Sequence, residues 1–296
     1  MARTMSFASL KVDGVNRARA VHDYAAGKST NVARVLHTLG EKVLATGFLG
    51  GPRGEAFRSD LDQVGISHDF VSVDSPTRLC VTVVDESAGT ATELIEESGP
   101  VHDREIAALH SKLRTLAGHA DLFVFSGAVP AGSKPDIYAR CIQPGSRVIL
   151  DIVGDPLLES LACKPFVIKP NQSEIARTLR VELDCVEKLK DAMKQLVSYG
   201  AQWVVVTRGT QSTLITDGRS FWEVTTPKVK VISAIGSGDS FAAGLAAGLK
   251  RGQDVPTACI LAAACGSANA MTLHAGHIRV DDVEALSKQV SLSAFA

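Results

Sequence analysis

Short apolar runs alternate with segments of helical periodicity along most of the chain, and this alternation restricts the fold more than any other feature. The runs have strand length and few polar residues, as expected of strands buried on both faces: Val43–Phe48, Leu122–Phe125, Val148–Leu150, Phe166–Ile168 and Trp203–Thr207. Helical spacing covers Val32–Leu39, which should begin at Thr30 or Asn31, and Val186–Leu196. This order predicts an α/β fold: a mainly parallel sheet with helices on both faces, in which ligands bind beyond the carboxyl ends of the strands.

Two segments, near residues 5–22 and 70–97, interrupt the alternation. The second has the pattern strand, turn, strand, with strands over Leu79–Val84 and Thr92–Ile95. The first contains further extended chain. We expect the two segments to form a small β flap, or lid, outside the main sheet. No internal repeat or linker is present, so residues 1–296 are treated as a single domain with these lid segments.

Composition excludes several classes of protein. The chain has 31 Lys and Arg against 32 Asp and Glu, so it offers no polybasic surface for nucleic acid. Its longest apolar stretches fall far short of the ~20 residues of a membrane span, and the amino terminus has no apolar signal core. The six cysteines form no C-x-x-C pair, which argues against a disulfide framework or a zinc site. We therefore expect a cytoplasmic protein with reduced thiols.

The segment Gly236–Asp239 is the most informative motif, because it lies between a predicted strand, Val229–Ile232, and a predicted helix, Ser240–Lys250. Its two glycines allow a tight turn in which consecutive N–H groups point at one spot, and the start of the helix adds a partial positive charge. These properties suit a phosphate. Asp239 either caps the helix or handles a proton, and the motif alone does not decide between the two.

Two further loops follow predicted strands at the same edge of the sheet. Lys169 follows the strand Phe166–Ile168, and Asn171 with Glu174 has the spacing of a helix capping box. The alternative is that this amide and carboxylate hold magnesium-bound waters. Thr207 and the following residues end another buried strand, so three polar loops are expected at one shared site.

The amino-terminal third contributes candidate cations and amides. Gly27 and Lys28 resemble the end of a P-loop, but the earlier glycine and the preceding strand of that motif are missing. Lys28 and Asn31 remain candidates for binding a polar ligand. Arg78 is either a solvated surface residue or a clamp on a phosphate.

Taken together, these motifs resemble the ribokinase-like (PfkB) family of carbohydrate kinases. The resemblance looks strongest to the branch that holds 1-phosphofructokinase and tagatose-6-phosphate kinase. It covers essentially the whole chain and is carried by six stretches in the family's order and spacing: Ala26–Leu36, Gly47–Gly51, Thr92–Leu94, Phe125–Pro130, Ile168–Glu174 and Ala234–Phe241.

Position by position, the resemblance implies a role for each motif residue. Asp239 would be the catalytic base, and Gly236, Ser237 and Gly238 would form the anion hole. The nucleotide would contact Lys169, Asn171, Thr207, Gly209, Gly238 and, near the adenine, Asn269. The sugar phosphate would contact Gly27, Lys28, Asn31, Arg78 and Ser126. Asn171 and Glu174 would position Mg²⁺ through its waters. The family's lid closes over the sugar and often joins two subunits into a homodimer.

The chain also departs from the family at identifiable positions. Ala26 and Ser29 replace glycines, and Cys80 stands where this branch often has asparagine. The family's first strand ends in a stretch like Asn-Pro-Ala-x-Asp, and this sequence begins where that strand should finish, with Ala2 near the aspartate's place. We expect that the natural start lies earlier, or that Met1–Leu10 reaches back to cover the gap.

The expected activity is ATP-dependent phosphoryl transfer, with Mg²⁺, to a hydroxyl of a hexose phosphate of the fructose 1-phosphate, tagatose 6-phosphate or fructose 6-phosphate type. Two alternatives stay open on the sequence alone. One is a kinase for an unphosphorylated sugar or a nucleoside, against which Arg78 and Lys28 argue because two cations suit a phosphate. The other is a non-catalytic binding relative, against which the intact Gly236–Asp239 loop argues.

Overall fold

The helices and strands are those of a computed structural model, which describes residues 1–295. In chain order they are β1 (Ala2–Phe7), β2 (Ala20–Tyr24), α1 (Lys28–Thr38), β3 (Phe48–Leu49), α2 (Gly51–Gln63), β4 (Val71–Ser72), β5 (Cys80–Asp85), β6 (Thr90–Ile95), α3 (Asp103–Leu116), β7 (Phe123–Ser126), α4 (Ile137–Cys141), β8 (Val148–Asp151), α5 (Asp155–Leu161), β9 (Val167–Ile168), α6 (Gln172–Leu179), α7 (Val186–Ser198), β10 (Trp203–Arg208), β11 (Gln211–Thr216), β12 (Phe221–Val224), α8 (Ser237–Lys250), α9 (Val255–Ala270), α10 (Val280–Ser287) and β13 (Leu292–Ala294).

The largest sheet has seven strands in the order β13-β12-β11-β10-β9-β8-β7. Strands β7 to β10 are parallel to their neighbours, which confirms the predicted α/β arrangement. The three strands beyond β10 pair antiparallel. Short connections of a few residues join β10, β11 and β12, and such connections permit only antiparallel pairing. The sequence did not indicate this antiparallel extension.

Helices cover both faces of this sheet, because successive side chains of a strand point to opposite sides. On β8, Val148 and Leu150 pack against the core formed with α5, α6 and α7. Ile149, between them, packs against α8 and α9 on the other face. These two helices are rich in small residues and approach closely: a Cβ on Gly244 would lie 2.7 Å from the Cα of Ala262. No helix among residues 1–295 is long and apolar enough to cross a membrane.

A four-stranded sheet of order β2-β1-β5-β6 lies outside the main sheet and is called the lid below. Strand β1 pairs parallel with β5 and antiparallel with β2. The expectation that Met1–Leu10 covers a gap in the main sheet is therefore wrong, because Ala2–Phe7 is a central strand of the lid.

A cleft of about 1000 Å³ borders the main sheet beside β7 and is called the β7 cleft below. Residues of both α1 and the Val43–Phe48 region line it. Only Phe48–Leu49 of that region forms a strand, paired with β4 in a separate two-stranded sheet. The rest of the predicted strand Val43–Phe48 is bonded to the segment before β4 but contains only an isolated bridge, between Ala45 and His68, because Gly47 at φ +145° interrupts the regular strand.

Two other sequence predictions differ from the structure. Helix α1 begins at Lys28, two residues before the predicted start, because Gly27 at φ +149° ends the preceding extended chain. Val229–Ile232 is not a strand; Val231 and Ile232 are exposed, and the Ile232 amide donates to the carbonyl of Ala270 rather than to a neighbouring strand.

Candidate active site

The candidate site lies where four parallel strands end. Ser126 is the last residue of β7, Asp151 is the last residue of β8, and Lys169 directly follows β9. Thr207 lies near the end of β10 and forms an isolated bridge with Asn171. Because parallel neighbours end at the same edge of a sheet, these polar side chains are brought together, including the Lys169 and Thr207 loops that the sequence placed at one edge.

A buried ion pair lies at the centre of this edge. The ammonium of Lys169 lies 3.2 Å from a carboxylate oxygen of Asp151, and each residue is only 2% exposed. Ser126 Oγ donates to the other carboxylate oxygen of Asp151 at 3.3 Å. Asp151 was missed by the sequence analysis. The sequence signal that could have identified Asp151 is its place directly after the predicted buried strand Val148–Leu150, because a buried charge requires a partner.

The start of α8 places the predicted anion loop beside this pair. Gly236, at φ +82°, precedes the helix in the left-handed region. A Cβ at Gly236 would lie 2.6 Å from the Cβ of Ala275, so both backbone angle and space require glycine there. A Cβ on Gly238 would lie 3.7 Å from Lys169 Nζ, which puts the helix start next to that ammonium. The start of α8 and the Lys169 ammonium are therefore adjacent, which suits an anion. The Ser237 amide donates to the Ala234 carbonyl at 3.2 Å, so of the three predicted anion-hole residues Ser237 does not offer a free amide.

Asp239 lies in the first turn of α8 and is 7% exposed. Its Oδ2 accepts a hydrogen bond of 2.7 Å from Asn31 Nδ2 on α1. Burial raises the pKa of Asp239 to about 6, and the carboxylate of Asp151 pushes it in the same direction. The hydrogen bond from Asn31 and the charges of Lys28 and Lys169 oppose that rise. A carboxyl group with a pKa near 6 is ionised at neutral pH and still basic enough to take a proton.

Asn31 has a second feature that bears on ligand binding. Its Oδ1 is buried and has no hydrogen-bond partner among residues 1–295. An unsatisfied buried acceptor costs about 1–3 kcal/mol, so this oxygen favours a donor that a ligand would bring.

Lys28 connects the amino-terminal region to the sheet edge. Its ammonium lies 3.7 Å from Glu174 Oε1 and 3.9 Å from Asp151 Oδ1. Burial lowers the pKa of Lys28, but attraction by Asp151, Glu174 and Asp239 outweighs it, and the net pKa is raised. The side chain is 40% exposed, so it also reaches the open part of the site.

Asn171 and Glu174 form the capping box that the sequence suggested. The amide of Glu174 donates to Asn171 Oδ1, and the amide of Asn171 donates to Glu174 Oε2, both at 2.8 Å. Capping therefore occupies the single side-chain oxygen of Asn171, which also accepts from Ser173 Oγ, and one of the two oxygens of Glu174. The other oxygen, Glu174 Oε1, stays directed at Lys28. No cluster of three His, Cys, Asp or Glu able to hold a metal ion occurs in the described part of the chain. Mg²⁺ often binds through one or two carboxylates, waters and substrate phosphates, so Glu174 and Asp151 fit it without such a cluster.

The remaining predicted site residues lie around this centre. Gly27 and Gly209 are exposed at loop positions, with φ of +149° and +62°. Arg78 is half-buried beside the lid, and within residues 1–295 its guanidinium makes no hydrogen bond or ion pair. A cation without a partner at the edge of a site is available to an anionic ligand.

Asn269, predicted near the adenine, forms its side-chain hydrogen bonds with other parts of the protein. It is fully buried; its Oδ1 accepts from Ser240 Oγ and from the Gly276 amide, and its Nδ2 donates to the Ile235 carbonyl. These bonds tie α9 to the start of α8 and to the Gly276 loop. Asn269 therefore supports the anion loop from behind.

Comparisons with known proteins agree with this geometry. The sequence matches the family described as pfkB family carbohydrate kinase over residues 2–278. Phosphofructokinase-2 from Escherichia coli, solved with potassium, superposes with a TM-score of 0.91 at 25% identity, covering 97% of this chain and 95% of that one. The same enzyme solved with fructose-6-phosphate gives 0.89 at 26% identity, with the same coverage of both chains.

A Thermotoga maritima protein named as a possible 1-phosphofructokinase shares the fold, with a TM-score of 0.87 at 20% identity over 100% of this chain and 96% of that one. The family match spans nearly the whole chain, and the polar sheet edge and anion loop lie within the matched residues. The chain therefore belongs to the pfkB family of carbohydrate kinases.

Proposed function

We propose that this carbohydrate kinase transfers the γ-phosphoryl group of ATP to a hydroxyl of a hexose phosphate, with Asp239 as the base that accepts the hydroxyl proton. The observation that supports this proposal is the buried Asp239 carboxylate at the start of α8, which accepts a hydrogen bond from Asn31 on α1. Phosphoryl transfer needs an in-line arrangement, charge neutralisation and a proton acceptor. The buried environment of Asp239 supports its role as the proton acceptor.

The anion loop supports the charge neutralisation. The amides of Gly236 and Gly238 would receive the transferring phosphoryl group, with Lys169 beside them. The nucleotide would lie along Thr207 and Gly209. The backbone amides at a helix start are fixed before the reaction, so they stabilise charge without reorganisation.

Mg²⁺ would be held through water by Asn171 and Glu174, with Asp151 within reach. When bound, Mg²⁺ neutralises charge on the phosphates of the nucleotide. In the protein itself, Lys28 lies between the Glu174 and Asp151 carboxylates and balances their charge.

The sugar phosphate would occupy the space between α1 and the lid. The Asn31 Oδ1, which has no partner in the described chain, would accept a bond from a second hydroxyl of the sugar, next to the reacting hydroxyl at Asp239. Gly27, Lys28 and Ser126 would form the wall of this subsite. Arg78 would bind the substrate phosphate, because its guanidinium is the cation at the lid base without an ion pair in residues 1–295.

We further propose that the main sheet and lid act as one kinase unit in the cytoplasm, and that the lid joins two copies into a homodimer. Val21, Leu94 and Ile95 of the lid are each at least 50% exposed, and exposed apolar side chains on one small sheet favour a partner surface. Size-exclusion chromatography with light scattering tests this part: Leu94→Lys should shift a dimer to a monomer.

The substrate is tested with a coupled ATPase–kinase assay over a matched panel of hexose phosphates and free hexoses. The proposal expects ADP and a sugar bisphosphate from at least one hexose phosphate, and much slower turnover of every free hexose. Turnover of a free sugar or a nucleoside alone would assign the alternative kinase. Binding of nucleotide without turnover of any substrate would assign the non-catalytic relative.

A further inference from the structure

The chain leaves strand β7 at Ser126 and Gly127, and hydrogen bonds from two helices hold both residues. The first bond comes from α1: Ser29 Oγ donates to the Ser126 carbonyl at 2.7 Å. The second comes from α4: the Tyr138 hydroxyl donates to the Gly127 carbonyl at 3.1 Å. Two successive carbonyls are thus fixed by hydroxyl groups that lie outside the sheet.

The position of β7 at the end of its sheet explains why these carbonyls need partners from outside. The Gly127 amide donates to the Asp151 carbonyl on β8. Because alternate residues of a strand direct their backbone groups to opposite edges, those of Ser126 point away from β8. At Gly127, φ of +119° ends the extended geometry. All four residues of the two bonds line the β7 cleft, so packing does not fix this stretch on the cleft side.

The Tyr138 hydroxyl is well placed for its bond. The ring of Tyr138 packs against Phe125 of β7, with ring centroids 6.0 Å apart. A Cβ on Gly127 would lie 4.0 Å from the hydroxyl oxygen, so the phenol lies directly beside that residue. Burial raises the pKa of Tyr138, so the hydroxyl stays protonated and available as a donor.

Ser29 lies among the residues of α1 that contact the site. The ammonium of Lys28, before it, lies 3.9 Å from Asp151 Oδ1. Asn31, two residues on, donates to Asp239. The Ser29 hydroxyl therefore joins the first turn of α1 to β7 at the point where this turn also contacts the carboxylates of the site. Ser29 stands at a position where the family resemblance places glycine, and glycine has no hydroxyl to donate.

We propose that Ser29 and Tyr138 are positioning residues for the sugar phosphate, because their two bonds hold Ser126 at a fixed distance from Gly27 and Lys28. These last three residues form the proposed wall of the sugar subsite, so the inference rests on the proposed function. Neither hydroxyl needs to touch the substrate, since each acts through a carbonyl at the end of β7. Together the two bonds set the width of the subsite before the sugar binds. Groups that are fixed in advance lose less conformational entropy on binding, so both bonds should contribute to affinity.

Steady-state kinetics of Ser29→Ala, Tyr138→Phe and the double variant test the proposal. The substrate is the hexose phosphate of the panel that the parent chain phosphorylates fastest. Each single variant should raise KM for this sugar at least about threefold, and the double variant at least about tenfold, because each change removes one hydrogen bond. The kcat and the KM for ATP should stay within about twofold of the parent, since the proposed nucleotide contacts at Thr207 and Gly209 belong to the end of β10. In the ligand-free double variant, hydrogen–deuterium exchange of a peptide covering residues 124–129 should be at least about threefold faster.

Two matched variants serve as controls. Thr38→Ala removes a hydroxyl of the same helix that donates to the Arg34 carbonyl, and it should leave KM and exchange unchanged. Ser29→Thr retains a hydroxyl and should keep KM near that of the parent. An unchanged KM for the sugar or unchanged exchange in the double variant would overturn the proposal, as would an equal rise of KM for ATP. A parent chain that phosphorylates no hexose phosphate would refute the proposed function and with it the role in sugar binding, whereas faster exchange in the double variant would still establish the two bonds.

Discussion

Replacing Asn31 by Leu should move the acid limb of the kinase's pH profile. Asn31 donates the 2.7 Å bond that favours the charged form of Asp239, whose pKa burial raises to about 6. A hydrogen bond to a charged group contributes about 1.5–3 kcal/mol. At 1.36 kcal/mol per pKa unit, its loss corresponds to a further rise of about 1–2 units. The base must be ionised to accept a proton, so activity is lost as pH falls through this pKa.

The assay is kcat/KM against pH, which reports the pKa values of the free enzyme. We expect the midpoint of the acid limb to move from about 6 to about 7–8 in Asn31→Leu. The overall level should also fall, because Asn31 is proposed to contact the substrate. Thr38→Ala is the matched control: it lies on the same helix, and its hydroxyl donates only to the Arg34 carbonyl. An unchanged midpoint in Asn31→Leu would refute the coupling between Asn31 and Asp239.

Three further predictions concern the charges of the site. Lys169→Met should lower the melting temperature by several degrees, because the buried Asp151 would keep only the Lys28 ammonium at 3.9 Å, and removing one partner of a buried ion pair costs about 3–5 kcal/mol. Lys188→Met breaks only an exposed pair and should leave the melting temperature unchanged within about 1 °C. Arg78→Ala should raise KM for a hexose phosphate about 10- to 100-fold and leave a free hexose unaffected; equal losses on both would make Arg78 structural. Glu174→Gln should raise the Mg²⁺ concentration for half-maximal rate, and an unchanged requirement would remove Glu174 from the metal site.

The sequence predicted strands correctly where an apolar run lies between two layers of helices. Val148–Leu150 and Trp203–Val206 are apolar at every position because helices cover both faces of β8 and β10. Val43–Phe48 also contains Thr46 and Gly47, and only its end is regular strand, although Ala45 bridges His68 and the Gly47 carbonyl accepts from the Val71 amide. Gly47, at φ +145°, interrupts the regular strand geometry. The exposed Val231 and Ile232 are not strand residues, because the Ile232 amide donates to the Ala270 carbonyl rather than to a neighbouring strand.

The candidate site was predictable only in part. The Asn171–Glu174 capping box could be read from local spacing, and the structure contains it. The bond between Asn31 and Asp239 joins residues 208 positions apart, so no local pattern encodes it. Asp151 lies in no motif of its own; its importance follows from burial beside Lys169, which only the assembled sheet reveals.

The central claim, that Asp239 is the base, is tested most directly by Asp239→Asn. Asp239 does not cap α8, whose N-cap is Gly236, so its side chain is free for another role. Asparagine has nearly the same shape but cannot accept the proton, so kcat should fall about 10²–10⁴-fold while calorimetric affinity for ATP stays nearly unchanged. Asp254→Asn is the control, because Asp254 caps α9 through the Thr257 amide and lies outside the proposed site. Its activity should match the parent protein. Half or more of the parent kcat in Asp239→Asn would contradict the proposed mechanism.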